Sequence, residues 1–189
     1  MLSRTAPELP APVVAMVSYA IVLRHGLADF VKQARDCGLS GLIVPDLPIE
    51  ECEELREQCL ASSLDLIQLV TPTTPRERAV AIVQKSTGFL YYVSVAGITG
   101  ERNELPRSVV ENVAWLRQQT SLPICVGFGV SRPDHVRMIA PVADGIIVGS
   151  AFVRRIAEVP EKGPDAVIEE IRQFARSLIG ALSNEEQRS

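Results

Sequence analysis

The chain has 189 residues, of which 47% are hydrophobic and 22% charged, enough apolar content for a globular core and too much for a disordered tail. Its net charge is −4 and its basic residues are interspersed with acidic ones, so nothing marks a nucleic-acid or anionic-membrane partner. The four cysteines (Cys37, Cys52, Cys59, Cys125) and two histidines (His25, His135) match no metal-ligand spacing, and the cysteines read as free thiols of a reducing compartment. No secretory leader is visible among the first twelve residues, and no stretch approaches the roughly 20 apolar residues of a membrane span. These features lead us to expect a cytoplasmic protein.

In chain order, short apolar β-branched runs predict strands at 13–18, 41–44, 64–70, 88–94, 123–127 and 145–148. Amphipathic stretches predict helices at 27–37, 49–62, 75–85, 107–118, 132–139, 151–156 and 165–182. Pro48 and Pro106 stand just before helices. Thr74 ahead of Pro75 and Ser131 ahead of Arg132 read as N-caps. In the last helix Val167, Ile168, Ile171, Phe174, Ala175 and Leu178 recur at helical spacing, predicting an apolar face packed on the sheet.

Repeated βα units with nearly featureless strands leave an open doubly wound sheet or a (β/α)8 barrel. Glycine-rich turns favour the barrel. Gly127-Phe128-Gly129-Val130-Ser131 follows the penultimate strand, and Gly149-Ser150-Ala151 follows the last and opens a short helix. Phosphate sites of barrels commonly lie after strands seven and eight. No Gly-x-Gly-x-x-Gly follows the first strand and no Gly-Lys-Ser/Thr occurs, so dinucleotide and P-loop readings are weak. Only six strands can be counted where a barrel has eight and roughly 250 residues. The expectation is therefore one partial barrel domain over 1–189, lacking the first two βα units, with 1–11 irregular and 183–189 a polar tail.

The strongest candidate site is the set of three glycine turns, Ala96-Gly97-Ile98-Thr99-Gly100, Gly127-Phe128-Gly129 and Gly149-Ser150. Glycine permits positive φ and close backbone approach, and N–H groups at a helix start point at an anion. Together they predict a phosphate cup.

Four runs carry a resemblance to a known family: 41–48 (GLIVPDLP), 91–100 (YYVSVAGITG), 127–133 (GFGVSRP) and 144–151 (DGIIVGSA). In order and spacing they resemble the signature segments of tryptophan synthase alpha subunits, over residues 12–155. The resemblance implies a (β/α)8 barrel lyase that cleaves indole-3-glycerol phosphate to indole and glyceraldehyde 3-phosphate by a retro-aldol route. It implies no cofactor or metal on this chain, and an alpha2beta2-type complex with a beta subunit that carries pyridoxal phosphate. The substrate phosphate would lie where Gly97, Gly100, Gly127, Gly129, Gly149 and Ser150 converge. Tyr91, Thr99, Ile43, Phe128 and Ile147 would line the pocket, although an apolar residue at a strand end is more often plain core.

Retro-aldol cleavage needs the indole ring carbon protonated while a glycerol hydroxyl loses its proton, work suited to two carboxylates in opposite protonation states. In the family a glutamate on the second strand and an aspartate in a Gly-x-Pro-Phe-Ser-Asp-Pro-like run supply them. No such run occurs in these residues, and both positions are expected upstream of Met1. Ser18 and Ala20 stand where the family commonly has tyrosine and asparagine. Asp46 is the remaining weak catalytic candidate, and its plainer reading is a hydrogen-bond acceptor at a helix entry or in a loop. Glu50, Glu51, Glu53 and Glu54 read as a solvated face that complements a helix dipole. The leading expectation is thus an alpha-type lyase with this chain inactive alone. Alternatives are a non-catalytic remnant docking to a beta subunit or other partner, and another phosphate-binding barrel enzyme with Asp46 recruited.

Overall fold

A computed structural model describes residues 2–94, 107–127 and 129–183, in which helices alternate with parallel strands. The chain forms two compact units, one built from residues up to 91 together with 119–122, the other from 92–118 and from 123 onward.

The first unit opens with α1 (Leu2–Thr5) and a 3-10 turn at Ala6–Glu8, so the expected irregular N-terminus is largely helical. Pro7 sits at the start of the turn, where its missing N–H is harmless, and Ala6 is buried. Next come β1 (Val14–Met16), α2 (Tyr19–His25), α3 (Leu27–Asp36) and β2 (Gly41–Ile43). A 3-10 turn at Ile49–Glu51 then leads to α4 (Glu53–Ala61), β3 (Asp65–Ile67), β4 (Leu69–Val70) and α5 (Arg76–Lys85). β1, β2 and β3 make a parallel sheet in that order, with Ala15 beside Leu42 and Leu42 beside Leu66. Leu42, Ile43 and Val44 are all buried, as expected of a parallel strand covered on both faces. Gly41 permits the close β2–β3 approach, since a Cβ there would fall 2.9 Å from the Asp65 carbonyl oxygen.

Three expectations change in this unit. Residues 19–25, to which the sequence assigned no element, form a helix. The single strand expected at 64–70 divides at Gln68, giving seven strands among the described residues instead of six. β3 keeps its bonds to β2, whereas the Gln68 carbonyl accepts the Tyr91 N–H at 3.0 Å and starts a separate ladder. The helix expected over 49–62 breaks near Cys52, because the Glu51 N–H closes a tight bond on the Pro48 carbonyl before the α-helix begins.

β5 (Leu90–Val93) ends in the second unit, which continues with α6 (Arg107–Leu116), β6 (Ile124–Gly127) and α7 (Pro133–Ile139). β7 (Gly145–Ile147), α8 (Ser150–Ile156), α9 (Val159–Lys162) and α10 (Pro164–Ser183) complete it. β6 and β7 pair in parallel, Cys125 beside Gly145 and Gly127 beside Ile147. Asp144 fixes this pair: its carboxylate accepts the Ile124 N–H at 2.8 Å and the Arg117 guanidinium at 2.9 Å.

The cap expectations also need correction. Ser131 does not cap α7, whose cap position is Arg132, and the Thr74 hydroxyl accepts the Thr71 N–H at 3.0 Å while Pro75 precedes α5. The last helix buries Val167, Phe174, Leu178 and Ala181 but leaves Ile168 52% exposed. Its chief neighbours are α7, α8 and α9, where a seat on the sheet was expected. Phe174 meets Phe152 edge-on at 5.1 Å, and the Arg155 guanidinium stacks 3.6 Å above the Phe174 ring.

Candidate functional site

Two groups of strand ends carry the sequence candidates, one in each unit. In the second unit the register of β6 and β7 sets Gly127 directly beside Ile147, so their C-terminal turns emerge as neighbours. Gly127 is buried and Gly129, two residues on, has φ +77°. That is left-handed backbone, which an L side chain adopts only at a cost. Gly149 caps α8 with φ −114°, and Ser150 is the first helical residue; both are exposed. A Cβ at Gly149 would meet no atom within 4 Å. The conformational demand for glycine therefore falls on Gly129, while Gly149 leaves an open approach to the helix start. Phe128, Gly97, Thr99 and Gly100 lie outside the described residues.

Behind this turn sits His135, which sequence reasoning weighed only as a metal ligand. Its side chain is 1% exposed, and its Nδ1 lies 3.3 Å from the Ser131 backbone nitrogen, which donates to it. The Arg132 guanidinium lies 3.2 Å from Nε2. Burial first, and then the Arg132 charge, push the imidazole below the ordinary histidine value, which keeps it neutral near pH 7. A histidine six residues after a Gly-x-Gly turn was the available signal. Nothing in the sequence indicated that it would be buried.

In the first unit Ile43 ends β2 and Tyr91 lies in β5; both are buried, and burial raises the Tyr91 phenol pKa. Asp46, just past β2, is fully committed to structure. One carboxylate oxygen accepts the Ser18 hydroxyl at 2.6 Å and the other the Tyr19 N–H at 2.7 Å, which places Asp46 as the acceptor at the N-terminus of α2. Ser18 occupies the cap position but makes no cap bond with its own hydroxyl. The Ser18 hydrogen bond, followed by that of Tyr19, holds the Asp46 carboxyl below the ordinary aspartate value. An aspartate so placed is ionised at neutral pH and is no proton donor. Its plainer reading as a helix-entry acceptor is the one observed.

Glu50 of the acidic run is also engaged, in a two-point ion pair with Arg78. Glu53 meets both Arg56 and Lys85.

Parallel strands joined by helices, with glycine turns following β6 and β7, define an α/β protein of the (β/α) barrel type. A sequence model of the family described as tryptophan synthase alpha chain matches residues 1–182. The alpha chain of Rhodopirellula baltica is 54% identical over 184 residues, covering 93% of this chain and 66% of that protein. The Arabidopsis thaliana alpha chain is 40% identical over 96% of this chain and 66% of its own length. Among solved structures, the tryptophan synthase a2b2 complex of Pyrococcus furiosus contains a chain superposing with TM-score 0.84 at 32% identity, covering 95% of this chain and 71% of that one. The alpha chain of Legionella pneumophila gives 0.82 at 30% identity, with 97% and 67% coverage. The chain belongs to the tryptophan synthase alpha chain family. It spans about two thirds of the length of the curated relatives it matches.

Proposed function

We propose that the chain works in tryptophan biosynthesis as part of an alpha-type lyase, binding indole-3-glycerol phosphate for retro-aldol cleavage to indole and glyceraldehyde 3-phosphate. The observation that carries the reading is the pair of neighbouring turns after β6 and β7, with Gly129 at φ +77° and the start of α8 left open by Gly149. Gly127, Gly129, Gly149 and Ser150 would hold the phosphate through backbone N–H groups, joined by Gly97 and Gly100. Tyr91, Thr99, Ile43, Phe128 and Ile147 would line the rest of the pocket. A neutral His135, accepting the Ser131 N–H, steadies the turn without adding a charge that protonation could alter near pH 7.

The 189 residues contain no Gly-x-Pro-Phe-Ser-Asp-like run, and Asp46 is held ionised as a helix cap. The phosphate therefore binds to this chain while the acid–base pair of the family matches none of its residues, so the chain by itself turns over negligibly. The commitment of Asp46 also weighs against a different barrel enzyme with Asp46 as acid or base. As in the a2b2 assembly from which a structural relative comes, a beta subunit is the partner, with pyridoxal phosphate on that subunit and no cofactor or metal here. No helix among the described residues is long and apolar enough to cross a membrane, which fits the proposed cytoplasmic setting.

Titration of the 15N-labelled chain with glycerol phosphate tests the reading. Saturable shifts at the Gly129, Gly149 and Ser150 amides support it. A folded sample without shifts at millimolar ligand overturns it.

A further inference from the structure

Arg132 follows the glycine turn after β6 and takes the cap position of α7, with its side chain exposed. In the same unit Arg117, Arg137, Arg155 and Arg172 each engage a carboxylate, whereas no carboxylate among the described residues pairs with Arg132. Asp134, its nearest acidic neighbour in sequence, is taken by Arg137. The contact that Arg132 does make is contested. Its guanidinium lies 3.2 Å from His135 Nε2, while the Ser131 backbone nitrogen lies 3.3 Å from Nδ1 of the same ring. A neutral imidazole has one nitrogen lone pair to offer, so two donors approach where one can be satisfied. When Ser131 holds that lone pair, Nε2 carries the ring proton and the guanidinium has no acceptor there.

The turns themselves bring no full charge. Gly127, Gly129, Gly149 and Ser150 present backbone dipoles and one hydroxyl, and His135 behind them is neutral near pH 7. A phosphate monoester is close to a dianion at that pH. The Arg132 guanidinium stands across one imidazole ring from the Ser131 N–H, hence beside the turn. Arginine suits phosphate because its planar fork makes paired, charge-assisted hydrogen bonds. We infer that Arg132 is the cation of this site: its guanidinium leaves His135 Nε2 to bind the substrate phosphate, which supplies the acceptor it lacks and leaves the ring lone pair to Ser131. On the phosphate reading of these turns, on which the assignment rests, Arg132 makes the site select dianionic phosphate monoesters over neutral or singly charged analogues.

The probe is glycerol phosphate, with glycerate as a singly charged analogue and glycerol as a neutral one. Titrated into the 15N-labelled chain, glycerol phosphate is expected to shift the Arg132 side-chain Nε–H resonance saturably, together with the Gly129 and Gly149 amides, and to bind at least tenfold more tightly than glycerate. Arg132→Met keeps the apolar stem and removes the charge. It should weaken glycerol phosphate by at least about tenfold, the scale of one charge-assisted hydrogen bond, and bring it towards glycerate. Arg132→Lys, which keeps the charge without the fork, should fall between the two; with the Arg132 resonance of the parent chain it decides the matter if Arg132→Met fails to fold. If the parent chain binds with the Gly129 and Gly149 amides shifting but Arg132 unmoved, or if the folded variants bind undiminished, the assignment of Arg132 falls and the phosphate cup stands. If none of these resonances moves at millimolar ligand, both fall together.

Discussion

The strand ends of the two units solve the problem of exposed backbone groups in opposite ways. After β2, a side chain does the work: Asp46 reaches to Ser18 and Tyr19 and satisfies the start of a helix elsewhere in its unit. After β6 and β7 glycine takes that place, with Gly129 in left-handed conformation and no Cβ over the start of α8. A carboxylate that completes the fold is unavailable for chemistry. Where no side chain covers a glycine turn, a ligand can approach its backbone.

The sharpest way to break this comparison is catalytic. If Asp46 is purely structural, the 189-residue chain assayed for indole formation should fall at least ~10⁴-fold below a full-length relative, given ~10²–10⁴ for each missing acid–base group. Asp46→Asn should leave the residual rate unchanged. A rate that is substantial and collapses in that variant would return Asp46 to a catalytic role.

Next in size is the phosphate end. Gly149→Val should abolish glycerol phosphate shifts while leaving the melting temperature nearly unaltered, because the added side chain meets open space in the fold. Gly129→Ala acts differently, costing about 1–2 kcal/mol of stability through left-handed strain, read from denaturant midpoints. If the two substitutions had interchangeable effects, the division between conformational and approach roles would fail.

Smaller effects follow from titration. The His135 pKa is lowered in the folded chain, so between its folded value and the ordinary 6.5 the unfolded state binds more protons. Stability from this group is complete above pH 6.5 and is lost as pH falls through the folded value. In His135→Gln, denaturation midpoints followed from pH 7.5 to 5 should lose that part of the slope. Asp46 has the same sign at lower pH: its contribution is present above the ordinary aspartate value and lost as pH falls through its depressed one. Asp46→Ala should lower the melting temperature at pH 7 and converge with the parent protein under strongly acidic conditions.

Much of this architecture is legible in the sequence because parallel strands are apolar on both faces. The run Leu42, Ile43, Val44 announces itself, and the glycine turns stand at fixed offsets after β6 and β7. What escapes is whatever depends on a distant partner. α2 goes unassigned because its cap acceptor lies 27 residues away, and the division at Gln68 is invisible because it depends on Tyr91 pairing with a carbonyl. Ile168 sits on the predicted apolar face yet is exposed, since the neighbours α7, α8 and α9 select a stripe rotated from the one that periodicity alone suggested.

The span of the Asp46 bond also bears on the order of folding events. A helix of seven residues has little intrinsic persistence in water, and the acceptor that completes α2 becomes available only once β2 has docked and turned. Closing that loop carries an entropy that local capping would avoid. The amide of Tyr19 should thus gain protection in pulsed hydrogen exchange together with Leu42 and Ile43, later than the amides of α3. The first helix after β1 would become ordered as a dependent of the strand that follows it.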